Sequence, residues 1–106
     1  MKTLNDVKTL TDVQKRHLRR LGHELKPVVL MGNAGLTDSV QAEIDKALDD
    51  HELIKVKVIA DDRDQRKQLV TRICDANKAC LVQAIGNIAL IFRRSRIEKK
   101  RHIALP

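Results

Sequence analysis

Val28-Val29-Leu30-Met31-Gly32-Asn33-Ala34-Gly35-Leu36-Thr37 joins an apolar, β-prone run to a capped helix through a loop bounded by two glycines. The run suits a buried strand, and Pro27 in front of it bars Lys26 from the helical region. Thr37 is of the type that caps a helix. Strand, glycine loop and helix N-terminus in that order outline an anion site. Glycine lets backbone approach a ligand closely, and the first helical N–H groups and the positive end of the dipole face it. In a chain of net charge +7, the expected anion is an RNA backbone.

Upstream, Thr11-Asp12-Val13-Gln14 has capping-box spacing, and Val13, Leu18, Leu21 and Leu25 recur at near-helical intervals, so helix α1 is expected over 12–24. Its other side carries a cationic stripe of Arg16, Arg19, Arg20 and His23, with Lys15 beside it and Lys26 just beyond. Strand β1 then covers 28–31. Helix α2, opening at Thr37, packs Val40, Ile44, Ala47 and Leu48 inward. Asp38, Glu43, Asp45, Asp49 and Asp50 occupy much of its remainder, a face expected to repel nucleic acid and so to orient the domain.

In β2, at 54–59, Ile54, Val56 and Val58 alternate with Lys55 and Lys57, giving one packed side and one open, basic side. Asp61-Asp62-Arg63-Asp64 supplies caps to α3, which runs to about Asn77 with Leu69, Val70, Ile73 and Cys74 inward. Strands β3 (79–85) and β4 (88–92) flank Gly86-Asn87, a two-residue hairpin signal. The order α1-β1-α2-β2-α3-β3-β4, with crossover helices between the earlier strands, predicts an α/β fold with a mixed four-stranded sheet.

A length of 106 residues fits one domain, 1–106, with its core at about 11–94. Lysine and arginine number 21 against 14 acids, and the charge is segregated: 37–52 holds six acids to one lysine, whereas 93–106 holds six bases to one acid. Arg93-Arg94-Ser95-Arg96-Ile97-Glu98-Lys99-Lys100-Arg101-His102 therefore reads as a basic nucleic-acid-binding arm over 93–102. Cys74 and Cys80 lack the spacing of a disulfide framework or a zinc site and read as buried free thiols of a reducing cytoplasm; no metal or cofactor is expected. The longest apolar run, Ile88 to Phe92, is five residues, too short to cross a membrane. His17, His23, His51 and His102 stand beside no nucleophile, paired acid or P-loop lysine at motif spacing, so no catalytic residues are assigned and no enzyme is expected.

With no Trp or Tyr and a single Phe92, the chain has no aromatic platform for base stacking. Such a surface is expected to read phosphates, sugars and the shape of folded RNA.

Leu25 to Thr37 together with His51-Glu52-Leu53-Ile54-Lys55-Val56-Lys57 resembles the CRM domain in its stand-alone bacterial form, the YhbY type. The resemblance spans nearly the whole chain. It implies helices packed on one side of the sheet, an open opposite face, a Gly-x-x-G loop touching RNA, and a fold similar to the C-terminal domain of translation initiation factor three. It also implies ribosomal RNA in precursors of the large subunit as the partner, hence ribosome assembly. Carried over, the motif glycines are Gly32 and Gly35, enclosing Asn33 and Ala34. Related loops often hold a base between the glycines; this one holds none, so charge is expected from Lys26, Arg16, Arg19, Arg20, Lys55, Lys57 and from Arg93, Arg94, Arg96, Lys99, Lys100 and Arg101 of the arm. A monomer is expected. The competing expectation is a protein adaptor that holds a basic ribosomal protein through acidic α2.

Overall fold

Seven elements follow in the expected order: α1 (Asp12–Gly22), β1 (Pro27–Met31), α2 (Asp38–His51), β2 (Leu53–Val58), α3 (Arg63–Asn77), β3 (Cys80–Ile85) and β4 (Ile88–Phe92). They belong to a computed structural model that describes residues 10–99 and 102–106. Local chemistry explains the boundaries. Thr11 Oγ1 accepts the Gln14 N–H at 3.1 Å while Gln14 Oε1 accepts the Thr11 N–H at 3.0 Å, a complete capping box. Thr37 and Asp62 cap α2 and α3 by accepting the Val40 and Gln65 N–H groups. Helix α1 stops at Gly22, short of 24, because the His23 N–H turns back to Arg20 and the Leu25 N–H to Gly22. Gly86, at φ 55°, supplies the positive torsion at the first position of the β3–β4 turn.

The sheet runs β1-β2-β4-β3, with β1 and β2 parallel and the other two pairings antiparallel. Both edge strands carry register irregularities, between Pro27 and Val29 in β1 and between Leu81 and Gln83 in β3. On one face Val29, Met31, Val56, Val58 and Ile91 meet Ile44 and Leu48 of α2 and Val70 and Ile73 of α3. The Asn77 and Gln41 amides bond each other reciprocally at 2.6 and 3.0 Å, joining α3 to α2.

Placement of α1 departs from the expectation that the helices share one side. Helices α2 and α3 do share a face, but α1 lies on the opposite one, where Leu18 packs with Leu53, Cys80, Val82, Leu90 and Phe92. The cause is in β4, whose Ile88-Ala89-Leu90-Ile91-Phe92 is apolar at every position and so needs cover on both faces. Burying Leu18 and Phe92 completely contributes about 2 kcal/mol each. Gly22 sets how closely α1 approaches: a Cβ there would stand 2.6 Å from Leu90 Cδ2. Val13 and Leu21, expected inward, are 56% and 42% exposed, because the buried contact stripe of α1 is narrowed to Leu18 and Gly22.

The segment after β4 also departs from expectation. Arg93, Arg94 and Arg96 are held by the acids of α2 and its C-cap instead of forming a free arm. Arg93, buried, donates to Asp45 Oδ1 at 2.9 Å, to Asp49 Oδ1 at 3.0 Å and to the Asp45 and Asn77 carbonyls. Arg96 grips both Asp49 oxygens and reaches Asp45 Oδ2 at 2.6 Å. Glu52, 1% exposed, sits at φ 65° between α2 and β2. Its carboxylate accepts the Ser95 N–H at 2.7 Å, the Ile103 N–H at 2.6 Å and Arg94 Nη1 at 3.3 Å, and meets His102 Nδ1 at 2.5 Å. Ile103 and Leu105 then close over the second face. Arg93 and Asp45, 48 residues apart in the chain, find each other because β4 delivers Arg93 beside the end of α2. Lys100 and Arg101 lie outside the described residues.

Burial would raise the Glu52 pKa, but the Ser95 N–H, His102, the Ile103 N–H and Arg94 together hold it below the ordinary glutamate value. Replacing Glu52 by Gln, which removes the negative charge facing Arg94 and turns one of the two accepting oxygens into an amide donor aimed at N–H groups, is expected to destabilise the fold by about 3 kcal/mol in urea unfolding. Asp49 is held near pKa 2, chiefly by Arg96 hydrogen bonds working against burial. A depressed carboxylate stabilises above its unfolded pKa and loses that contribution as pH falls through its folded one. Asp49→Asn is thus expected to cost about 2 kcal/mol at neutral pH, with the gap to the unmodified protein closing as pH falls from 3.8 to about 2. A gap independent of pH in paired urea titrations would contradict this assignment.

Candidate nucleic-acid interface

Parallel pairing of β1 with β2 brings three connections to one end of the sheet: the loop Gly32–Gly35, the link 59–62 and the turn Gly86-Asn87. The Ile59 N–H donates to Met31 O at 3.0 Å and the Val58 N–H to Asn87 O at 2.7 Å, tying these connections together. Because α2 and α3 each follow a strand that ends here, both helices point their N-termini to this end.

The loop is a tight turn. The Gly35 N–H donates to Gly32 O at 3.0 Å, the Thr37 N–H to Gly35 O at 3.0 Å, and Gly35 adopts φ 76°. Asn33 and Ala34 at its tip are exposed, and their N–H groups have no partner among the described residues. Nothing lies within 4 Å of a Cβ built on Gly32 or Gly35. The backbone is therefore open to a ligand and is not plugged by neighbouring side chains. Asp38, exposed in the first turn of α2, offsets part of the dipole, so an anion here depends on nearby cations.

Those cations come from several elements. Lys57 pairs across the sheet with Leu30 and Ile88 and is exposed on the second face; half-buried Lys55 lies one step further from the loop on the same face. At 100° per residue from Leu18, Lys15, Arg19 and His23 fall on the flank of α1 toward the uncovered, loop-proximal half of this face, whereas Arg16, like Arg20, stands about 160° from Leu18 on the outer side of the helix. His23 lines a cleft there with Lys55 and Ile85. Gln14 and Leu21, on the opposite flank, meet Pro106 and the neighbourhood of Ile103. Arg20 points away from the sheet, and exposed Lys26 borders a separate groove with Leu25 and Val28. Exposed Lys99 follows the latched arginines.

Sequence reasoning missed Arg63, Arg66 and Lys67 in the first turns of α3, which border a groove with Gly86 and Asn87. Their signal was topological: once β2 is parallel to β1, the start of α3 must lie at the loop end. Arg66 Nε is buried there without a partner among the described residues. Burial lifts the Cys74 thiol to about 11, leaving it a poor nucleophile. No group of three His, Cys, Asp or Glu side chains among the described residues is placed to hold a metal, and no described helix is long and apolar enough to cross a membrane.

A mixed sheet backed by two helices that aim their N-termini past an open glycine loop, with lysines on the adjoining face, gathers positive charge at one end of the sheet. Residues 10–93 match the CRS1/YhbY (CRM) domain, and the chain belongs to that family. It is 45% identical over 86 residues to a protein of Pseudomonas aeruginosa named as a probable RNA-binding protein, covering 81% of this chain and 83% of the relative. It is 46% identical over 91 residues to an RNA-binding protein of Haemophilus influenzae, covering 86% and 92%. The solution structure of a Staphylococcus aureus protein, described as a candidate RNA-binding protein, superposes with a TM-score of 0.77 at 38% identity, covering 92% of this chain and all of that one.

Proposed function

We propose that this chain is an RNA-binding, non-catalytic protein that grips the sugar-phosphate backbone through Gly32-Asn33-Ala34-Gly35 and the surrounding cations. The observation that carries the reading is the open loop itself: unpartnered N–H groups at its tip, free space at both glycines, and lysines on the adjoining sheet face. The names of the relatives as RNA-binding proteins support the same ligand. Arg19, Lys55 and Lys57 supply charge, joined by Arg63, Arg66 and Lys67, while Arg16 and Arg20 on the outer side of α1 and Lys26 at the far end of β1 add attraction from a greater distance. Lys99, Lys100 and Arg101 of the chain end are proposed as a separate source of charge, whereas Arg93, Arg94 and Arg96 act mainly by holding the chain end in place. On the resemblance to the YhbY type we read the RNA as ribosomal RNA in precursors of the large subunit and the protein as a ribosome assembly factor; a cytoplasmic setting and a monomeric state complete the proposal.

An adaptor role for α2 has less support, since Asp45, Asp49 and Glu52 are already engaged within the chain. A pull-down with and without ribonuclease separates the two: nuclease-resistant capture of a basic ribosomal protein would favour the adaptor.

If about five phosphates are engaged, log affinity falls against log salt with a slope of about −3.5 to −4.5. A flat salt response in anisotropy titrations would contradict the grip. Gly32→Asp and Gly35→Asp place a carboxylate where phosphate approaches, and both are expected to weaken RNA binding at least tenfold while the fold survives, because each Cβ enters open space. Only Gly35 carries a left-handed φ, so equal losses in the two variants exclude backbone strain as the cause. Crosslinking in growing cells is expected to recover immature large-subunit RNA; recovery dispersed over unrelated transcripts would refute the ribosomal setting.

A further inference from the structure

We propose that the cleft between the C-terminal end of α1 and the second face of the sheet seats an unpaired nucleobase of the RNA whose backbone the loop holds, an inference that rests on the RNA-binding reading above.

The cleft encloses about 310 Å³, within the range of small-ligand sites. Ile85, Ile88 and Leu90 supply apolar wall, and His23, Lys55 and Gln83 supply polar groups. It forms because α1 covers only the half of the face that contains Leu53, Phe92 and Cys80, and leaves the loop-proximal half bare. Two cross-strand rows line the cleft: Lys55, Leu90 and Gln83 in one, with buried Leu90 at the floor beneath Gly22 where α1 ends, and Leu30, Lys57, Ile88 and Ile85 in the other, which is bare. The second row adjoins the loop, and the first lies two residues, or about 7 Å, beyond it. A base in the cleft and a phosphate at the loop can therefore belong to neighbouring nucleotides.

Composition of the surface selects the occupant. Leu30 and Ile85 are 55% and 65% exposed, bare aliphatic surface in the same row as Lys57. Duplex RNA presents phosphates and sugars to such a face and keeps its base planes inside the stack, which leaves the apolar wall wet. An unpaired nucleotide presents both parts at once: an anionic link for Lys55 and Lys57, and an apolar ring for Ile85, Ile88 and Leu90. The Gln83 amide carries both a donor and an acceptor, and so can meet a base edge that pairing would otherwise occupy. No aromatic residue is needed for this; the ring lies against aliphatic side chains.

The test uses the full chain and two RNA hairpins with the same stem, one interrupted by a short unpaired bulge and one fully paired, titrated by fluorescence anisotropy at fixed salt. The bulged RNA is expected to bind about tenfold more tightly, the scale of one well-seated base. Ile85→Ser and Gln83→Ala, at the end and in the middle of an edge strand, are expected to abolish the preference without weakening binding of the paired hairpin, with thermal unfolding confirming an intact fold. Gly32→Asp, by contrast, weakens both RNAs alike. Equal affinity of the unmodified protein for the two hairpins, or a preference that survives Ile85→Ser, would overturn the base-seating cleft and leave the backbone grip standing. Failure to bind either hairpin would overturn the grip as well. Self-association in sedimentation that Ile85→Ser abolishes would assign the apolar face to a second copy of the chain, and would equally overturn the proposal.

Discussion

The buried carboxylate of Glu52 is the constraint on which the layout of the second face depends. It stands where α2 turns into β2, in a left-handed conformation that disfavours a side chain, and collects two backbone N–H groups, a guanidinium and an imidazole from the end of the chain. A carboxylate so enclosed would be costly alone; its partners offset the lost hydration only when the final segment is in place. That coupling draws Ile103 and Leu105 over the far half of the sheet beside α1. The near half, next to the glycine loop, is left without cover.

Acidic residues in a protein that binds a polyanion look misplaced until their partners are known. Asp45 and Asp49 neutralise Arg93 and Arg96 and Glu52 meets Arg94, so half of the six bases in the densest basic run are consumed internally. The cations outside that cluster stand on Lys55 and Lys57, on the inner flank of α1, and at the start of α3, where Asp61, Asp62 and Asp64 accompany them. Charge segregation along the sequence and charge segregation in space are thus nearly opposite.

Local signals were the legible part. The capping box at Thr11, the caps at Thr37 and Asp62, the Gly86-Asn87 turn and the alternation in β2 each depend on neighbours a few residues apart, and each appears where the pattern placed it. The order of elements and the mixed sheet followed from them. What the patterns could not carry was long-range. Which face α1 covers is decided by the need of β4 for apolar contact on both sides and by a glycine at position 22, neither of which has a periodicity. The engagement of Arg93 by Asp45 spans 48 residues and looks, in one dimension, like two independent charge runs. Within the candidate site, the loop was legible from its glycines, whereas Arg63, Arg66 and Lys67 emerge only once strand direction is known.

The irregular edges of the sheet have a consequence of their own. At one border Pro27 has no N–H to offer and the register slips before Val29; at the other it slips between Leu81 and Gln83. A foreign strand docking on either border would meet an interrupted ladder of donors and acceptors, so extension of the sheet from molecule to molecule is frustrated at both margins. A protein that must leave lysine-flanked aliphatic surface bare can in this way resist stacking into fibres while that surface stays free.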